Sequence, residues 1–105
     1  MQISDERASE LVRRIVEAAN PLRIVLFGSA ARGESGRYSD IDVLVVMPEG
    51  SHRRGTARLI YRNLLGFGLP VDVVVATSAD LEKYGDSPAL VYREALREGR
   101  ELYAA

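Results

Sequence analysis

The sequence predicts an α/β fold, with a small sheet of three to four strands covered by helices. Three observations predict it. Short apolar runs rich in β-branched residues occupy 22–27, 41–47 and 71–76, with the length and composition of strands. Stretches with apolar residues at helical spacing lie before, between and after them. Glycine and proline punctuate the joins, so the order reads helix, strand, loop, strand, helix, strand, helix.

Each element has its own warrant. Ser4 followed by Asp5 and Glu6 marks a helix start, with a capping hydroxyl and acids at the positive end of the helix dipole. Ala8, Leu11, Val12, Ile15, Val16 and Ala19 then form one apolar stripe, which Asn20-Pro21 ends because proline disfavours helix in the residue before it. The run 22–27 is the first strand and Gly28 closes it; residues 29–39 read as a turn or short helical piece followed by a loop. The run 41–47 is almost wholly apolar, as expected of a central strand covered on both faces. Pro48-Glu49-Gly50 breaks it, and a helix is expected from Ser51, as its cap, to about Leu65, weakened by Gly55. The turn-rich stretch Gly66-Phe67-Gly68-Leu69-Pro70 leads to the third strand, 71–76. Ser87-Pro88 resembles a cap with proline at the first helical position, opening a helix that ends near Gly99; residues 100–105 add a short extended tail.

Composition narrows the function classes. At 105 residues, 47% of them hydrophobic, the chain is expected to form a single domain spanning 1–105 with a real core. It has no cysteine, which excludes disulfides, thiolate catalysis and cysteine-based zinc sites, and fits a cytoplasmic protein. A net charge of −1 argues against non-specific nucleic-acid binding, which needs a basic surface to neutralise phosphates. No apolar run has the ~20 residues that span a bilayer, and the acidic start Met1-Gln2-Ile3-Ser4-Asp5-Glu6 is no signal peptide, so no membrane partner is expected.

The sharpest chemical signal is the pair Asp40 and Asp42 around Ile41. Residues two apart on a strand share a face, with Cα atoms roughly 6.6 Å apart. Two carboxylates this close at a buried edge repel each other and lose hydration, an arrangement a cation between them relieves. Oxygen ligands suit a hard cation such as Mg²⁺, which also bridges to phosphates. Asp72 interrupts the third strand as Asp42 does the second. If those strands are neighbours, three carboxylates can hold two metal ions, or one metal plus a base for the attacking hydroxyl. A lone loop aspartate is ordinarily a surface acid; two that interrupt apolar strands are harder to explain that way. Gly28-Ser29 after the first strand offers a sharp turn, close backbone approach and a hydroxyl for a phosphate chain. By itself that turn is a weak signal, and it matches neither the phosphate-loop nor the dinucleotide fingerprint.

Taken together, Gly28-Ser29, ten intervening residues, Asp40-Ile41-Asp42 and then Val71-Asp72-Val73 resemble the signature of the DNA polymerase β-like nucleotidyltransferase superfamily. The stretches Leu26-Phe27-Gly28-Ser29-Ala30-Ala31-Arg32-Gly33-Glu34 and Ser39-Asp40-Ile41-Asp42-Val43-Leu44-Val45 are similar to its minimal nucleotidyltransferase (MNT) family, a resemblance running over 22–103. It implies a nucleotidyltransferase fold with a small mixed sheet, and transfer of a nucleoside monophosphate, AMP from ATP, to an acceptor hydroxyl. It further implies that Gly28 and Ser29 bind the β and γ phosphates, that Asp40 and Asp42 hold Mg²⁺ (two ions) and that Asp72 helps activate the acceptor. Arg32 matches a basic position of the motif that would touch phosphate; Glu34 also matches, with no role derived.

Larger members of the superfamily carry a second domain for the base and the acceptor. A chain this short leaves that part to a partner or a second copy of itself. Minimal members are often encoded beside a helical HEPN protein, and some act as antitoxins that add AMP to a tyrosine of that toxin. The resemblance therefore implies a HEPN-family partner; a homodimer is the other way to complete the site, with Tyr92 and Leu96 of the last helix as its surface. A rival reading is a non-catalytic antitoxin that holds nucleotide and acts by docking; the retained acids weigh against it. A small-molecule acceptor, as in aminoglycoside nucleotidyltransferases, is disfavoured by the missing substrate domain. Of the rest, His52 reads as a solvated helix-end residue, Arg53 and Arg54 as an exposed face, and Tyr61, Tyr84, Tyr92 and Tyr103 as amphipathic packing residues.

Overall fold

Alternation of side chains along the strands decides how the layers assemble. The computed structural model describes residues 3–28, 31, 41–87 and 90–105. It runs α1 (Asp5–Ala19), β1 (Arg23–Phe27), β2 (Ile41–Met47), α2 (Arg53–Asn63), β3 (Val71–Thr77), α3 (Ser78–Tyr84), α4 (Val91–Glu98) and β4 (Arg100–Ala104). The strands form one mixed sheet in the order β3-β2-β1-β4. β1 is antiparallel to β2 and β4, whereas β2 and β3 are parallel, joined through α2 as a crossover.

Ile41, Val43, Val45 and Met47 of β2 pack on one face with Leu11 and Ile15 of α1 and Ile60 of α2. Leu44 and Val46 face the other way, joining Val25, Phe27, Ala76 and Ala95 of α4, with Leu81, Tyr92 and Leu96 against them. The central strand is therefore covered on both sides, as its unbroken apolar run predicts. No helix among the described residues is long and apolar enough to cross a membrane.

α1 starts and stops as expected. The Ser4 hydroxyl accepts from the Arg7 N–H at 3.2 Å, and Asn20 ends the helix in the left-handed region at φ 51°. The helix is then locked to the α2–β3 connection. Arg7 lies over the buried Phe67 ring, 4.3 Å from its centroid, and donates to the Phe67 carbonyl. Arg14 donates to the carbonyls of Asn63 (3.2 Å) and Leu65 (2.9 Å), and the Asn63 side chain donates back to the Arg14 carbonyl at 2.7 Å. Cation–ring and charge-assisted contacts of this kind hold the entry to β3 in place.

Several boundaries differ from the sequence expectation. His52, not Ser51, caps α2, its Nδ1 accepting from the Gly55 N–H at 2.8 Å, while the Ser51 N–H closes a turn to the Pro48 carbonyl. α3 was not expected, because seven residues are too few to show a helical period. The last helix opens at Val91 rather than at Ser87, whose N–H and carbonyl are used in turns with Tyr84 and Leu90. Gly99 does end that helix, but in extended conformation (φ −75°, ψ 159°). It is glycine for closeness: a Cβ there would collide with the Ala95 carbonyl and the Val25 side chain. The extended tail is an edge strand paired with β1, with a bulge opposite Ile24 and Val25. Tyr92 and Leu96 pack inward on the sheet instead of forming an outer surface, whereas Tyr61 and Tyr84 are exposed.

At the carboxyl ends of β2 and β3, α2 and α3 are tied together. The Asp80 carboxylate accepts from the Thr77 N–H (3.0 Å) and from Arg53 (2.9 Å), and the Thr77 hydroxyl accepts from the Asp80 N–H. These bonds, the Thr77 N–H foremost, hold the Asp80 carboxyl below its ordinary 3.8 against the opposing effect of burial. A depressed carboxyl stabilises the fold above its ordinary value and loses that contribution as pH falls through the lowered one. Asp80→Ala is therefore expected to cost about 1 kcal/mol near neutral pH, by the usual worth of such a cap. In denaturant unfolding the gap between variant and wild type should close in acid; a gap independent of pH would contradict this assignment.

Candidate active site

β2 and β3 run side by side in a register that places Asp42 directly opposite Asp72. Side chains at paired positions of a parallel ladder point to the same face, and adjacent strands lie about 4.8 Å apart. The Ile41 N–H donates to the Pro70 carbonyl at 2.9 Å, so the pairing is anchored one residue before Asp42. On its other flank Asp42 is paired with Phe27, the last residue of β1. Phe27 is buried, Asp42 partly buried and Asp72 exposed, so the row across the three strands grades from apolar interior to solvent.

Gly28 follows immediately, in the left-handed region at φ 74°. A Cβ on it would collide with the Asp42 carboxylate oxygen and lie 3.3 Å from its Cγ. Two separate demands, backbone sign and space, therefore select glycine here. The Asp42 carboxylate thus leans over the turn that leaves β1.

Of the residues singled out in the sequence, the structure brings Gly28, Asp42 and Asp72 together at one end of the sheet. Ser29, Arg32 and Asp40 lie outside the described residues. Among the described residues no group of three or more metal-ligating side chains occurs. The pair Asp42 and Asp72 nonetheless fits a hard divalent cation: both are oxygen donors, they stand at paired positions on one face of neighbouring strands, and one lies at the margin of an apolar core. One neighbour escaped sequence reasoning. The Tyr61 hydroxyl of α2 accepts from the Val73 N–H at 2.8 Å, at the free edge of β3 beside Asp72. Twelve residues separate the partners, and no local pattern signals such a contact.

A four-stranded mixed sheet between two helical layers, with this order and crossover, is the nucleotidyltransferase fold. Several solved structures share it. A protein assigned as a minimal nucleotidyltransferase matches with a TM-score of 0.61 and 29% identity, covering 90% of this chain and 88% of that one. One assigned as a nucleotidyltransferase of Sulfolobus solfataricus matches at 0.63 and 22% identity, covering 94% and 78%. A toxin–antitoxin structure with AMP-PNP matches at 0.64 and 19% identity, covering 98% and 75%. No curated protein matches the sequence significantly. The profile of the nucleotidyltransferase domain matches residues 7–102, and the chain belongs to that family.

Gly28→Ala is the direct test of the crowding at this site. It is expected to cost about 1–3 kcal/mol of stability through strain and overpacking, and to weaken Mn²⁺ binding by displacing Asp42. Unchanged stability and Mn²⁺ affinity, by thermal unfolding and calorimetry, would show that the carboxylate does not need this glycine.

Proposed function

We propose that this chain is a metal-dependent nucleotidyltransferase that moves AMP from ATP to an acceptor hydroxyl, a tyrosine of a HEPN toxin partner, and so acts as a cytoplasmic antitoxin. Residues 1–105 form its single domain. The observation that carries the reading is the register of Asp42 on Asp72 beside Gly28. Membership of the nucleotidyltransferase domain family supports the reaction class. The likeness to a toxin–antitoxin structure with AMP-PNP supports both the nucleotide and the biological setting.

In this reading Asp40, Asp42 and Asp72 would hold Mg²⁺. When bound there, Mg²⁺ would supply positive charge to offset that building on the phosphate oxygens. Gly28 and Ser29 take the β and γ phosphates through backbone N–H groups and the hydroxyl, and Arg32 adds positive charge to the same chain. Asp72 is more exposed than Asp42, which supports giving it the proton of the incoming hydroxyl. The oxygen then attacks the α phosphorus, the bond to the β phosphate breaks, and pyrophosphate leaves.

The test is transfer of label from ATP marked on its α phosphate, with Mg²⁺, to the purified product of the neighbouring gene. Label on that protein is expected, falling by about 10²-fold or more in Asp42→Asn and in Asp72→Asn. Tight binding of the two proteins with no label, and no change in Asp42→Asn, would replace this reading with a docking antitoxin that merely holds nucleotide.

A further inference from the structure

Charge is unevenly distributed over the molecule. α2 carries Arg53, Arg54, Arg58 and Arg62 and no acid, in a chain whose net charge is −1. Arg53 is bound to Asp80, but among the described residues Arg54, Arg58 and Arg62 meet no carboxylate. On α1, by contrast, Arg7, Arg13 and Arg14 are each paired with Glu10 or Glu17. Four-residue spacing puts Arg54, Arg58 and Arg62 in one row on the side of the helix away from buried Thr56 and Ile60. The row is not purely polar: Leu59 is 49% exposed, Tyr61 43% and Leu65, just past the helix end, 76%. At its margin Tyr61 bonds Val73 on the free edge of β3, the strand that carries Asp72 on its opposite face.

We propose that this outer face of α2 is where the acceptor protein docks, and that the partner offers it a carboxylate-rich patch with apolar side chains between. The inference rests on the transfer reading above and adds the surface that anchors the acceptor, which reaches Asp72 on the other face by passing around the free edge of β3. Unpaired arginines steer an acidic partner and form charge-assisted bonds on arrival. The exposed leucines supply the apolar contact that an interface core uses. They also favour protein over nucleic acid, as does the net negative chain, since an RNA-binding surface needs a broader basic footprint.

The experiment compares the wild-type chain with Arg54→Glu/Arg58→Glu/Arg62→Glu and with the milder Arg58→Gln/Arg62→Gln, using the purified product of the neighbouring gene and a single-stranded RNA as probes. Thermal unfolding and Mg²⁺-ATP binding serve as controls for fold and site. The wild type is expected to bind the protein, more weakly at high salt, and not the RNA. Charge reversal should weaken that binding at least about tenfold, the neutral variant less, with Mg²⁺-ATP binding kept. Equal binding by the neutral variant and wild type, no binding by wild type, or RNA binding lost on charge reversal would each overturn the inference. The two readings fail separately. Label transfer that persists undiminished in the reversed variant ends the docking surface alone; docking that depends on the arginines without any label transfer ends the transfer reading alone.

Discussion

The parallel pairing of β2 with β3 is the constraint on which the rest of the structure turns. Its register sets Asp42 against Asp72, and a slip by one residue would send one acid to the opposite face, into the core under α1 and α2. The register is held from several directions. The Ile41 N–H is bonded to the Pro70 carbonyl, and the apolar side chains of β2 are committed to two different cores. Arg7 and Arg14 clamp the chain around Phe67 just before β3 begins. Most of this machinery lies far from the acids in sequence, yet it fixes the strand positions from which both acids project.

The layers divide the labour. One face of the sheet, under α1 and α2, holds the larger core with Leu11, Ile15, Ile60 and Phe67 and supplies rigidity. The other face holds the smaller core under α4, and Asp42 stands on that side by strand alternation. α2 joins the two roles. Its inner residues Thr56 and Ile60 are buried, its Tyr61 supports the β3 edge, and its outer side is charged. Binding to that outer side would act on the strand that carries Asp72 through a single helix.

Much of this was legible in the residues. The three apolar runs are strands at nearly the expected limits, and the acids within them stand out because an ionisable side chain in such a run needs a reason. Gly28 after an apolar run signals a turn that permits close approach of a ligand, and in the structure the Asp42 carboxylate is what leans over it. Other features were not legible. α3 is too short for periodicity and is announced only by the Thr77–Asp80 capping pair. Ser87 caps no helix, because its N–H and carbonyl are engaged in turns with Tyr84 and Leu90. Strand pairing of the tail, the Tyr61–Val73 bond and the Phe67 clamp all join residues distant in the chain, and local pattern carries no information about them.

The most direct measurement is a crystal structure of the chain with Mn²⁺ and AMP-PNP, located by anomalous scattering. Manganese bound about 2.1 Å from oxygens of both Asp42 and Asp72, with the triphosphate against the Gly28 turn, is the predicted result. Manganese held elsewhere, or nucleotide bound with Asp72 taking no part, would contradict it.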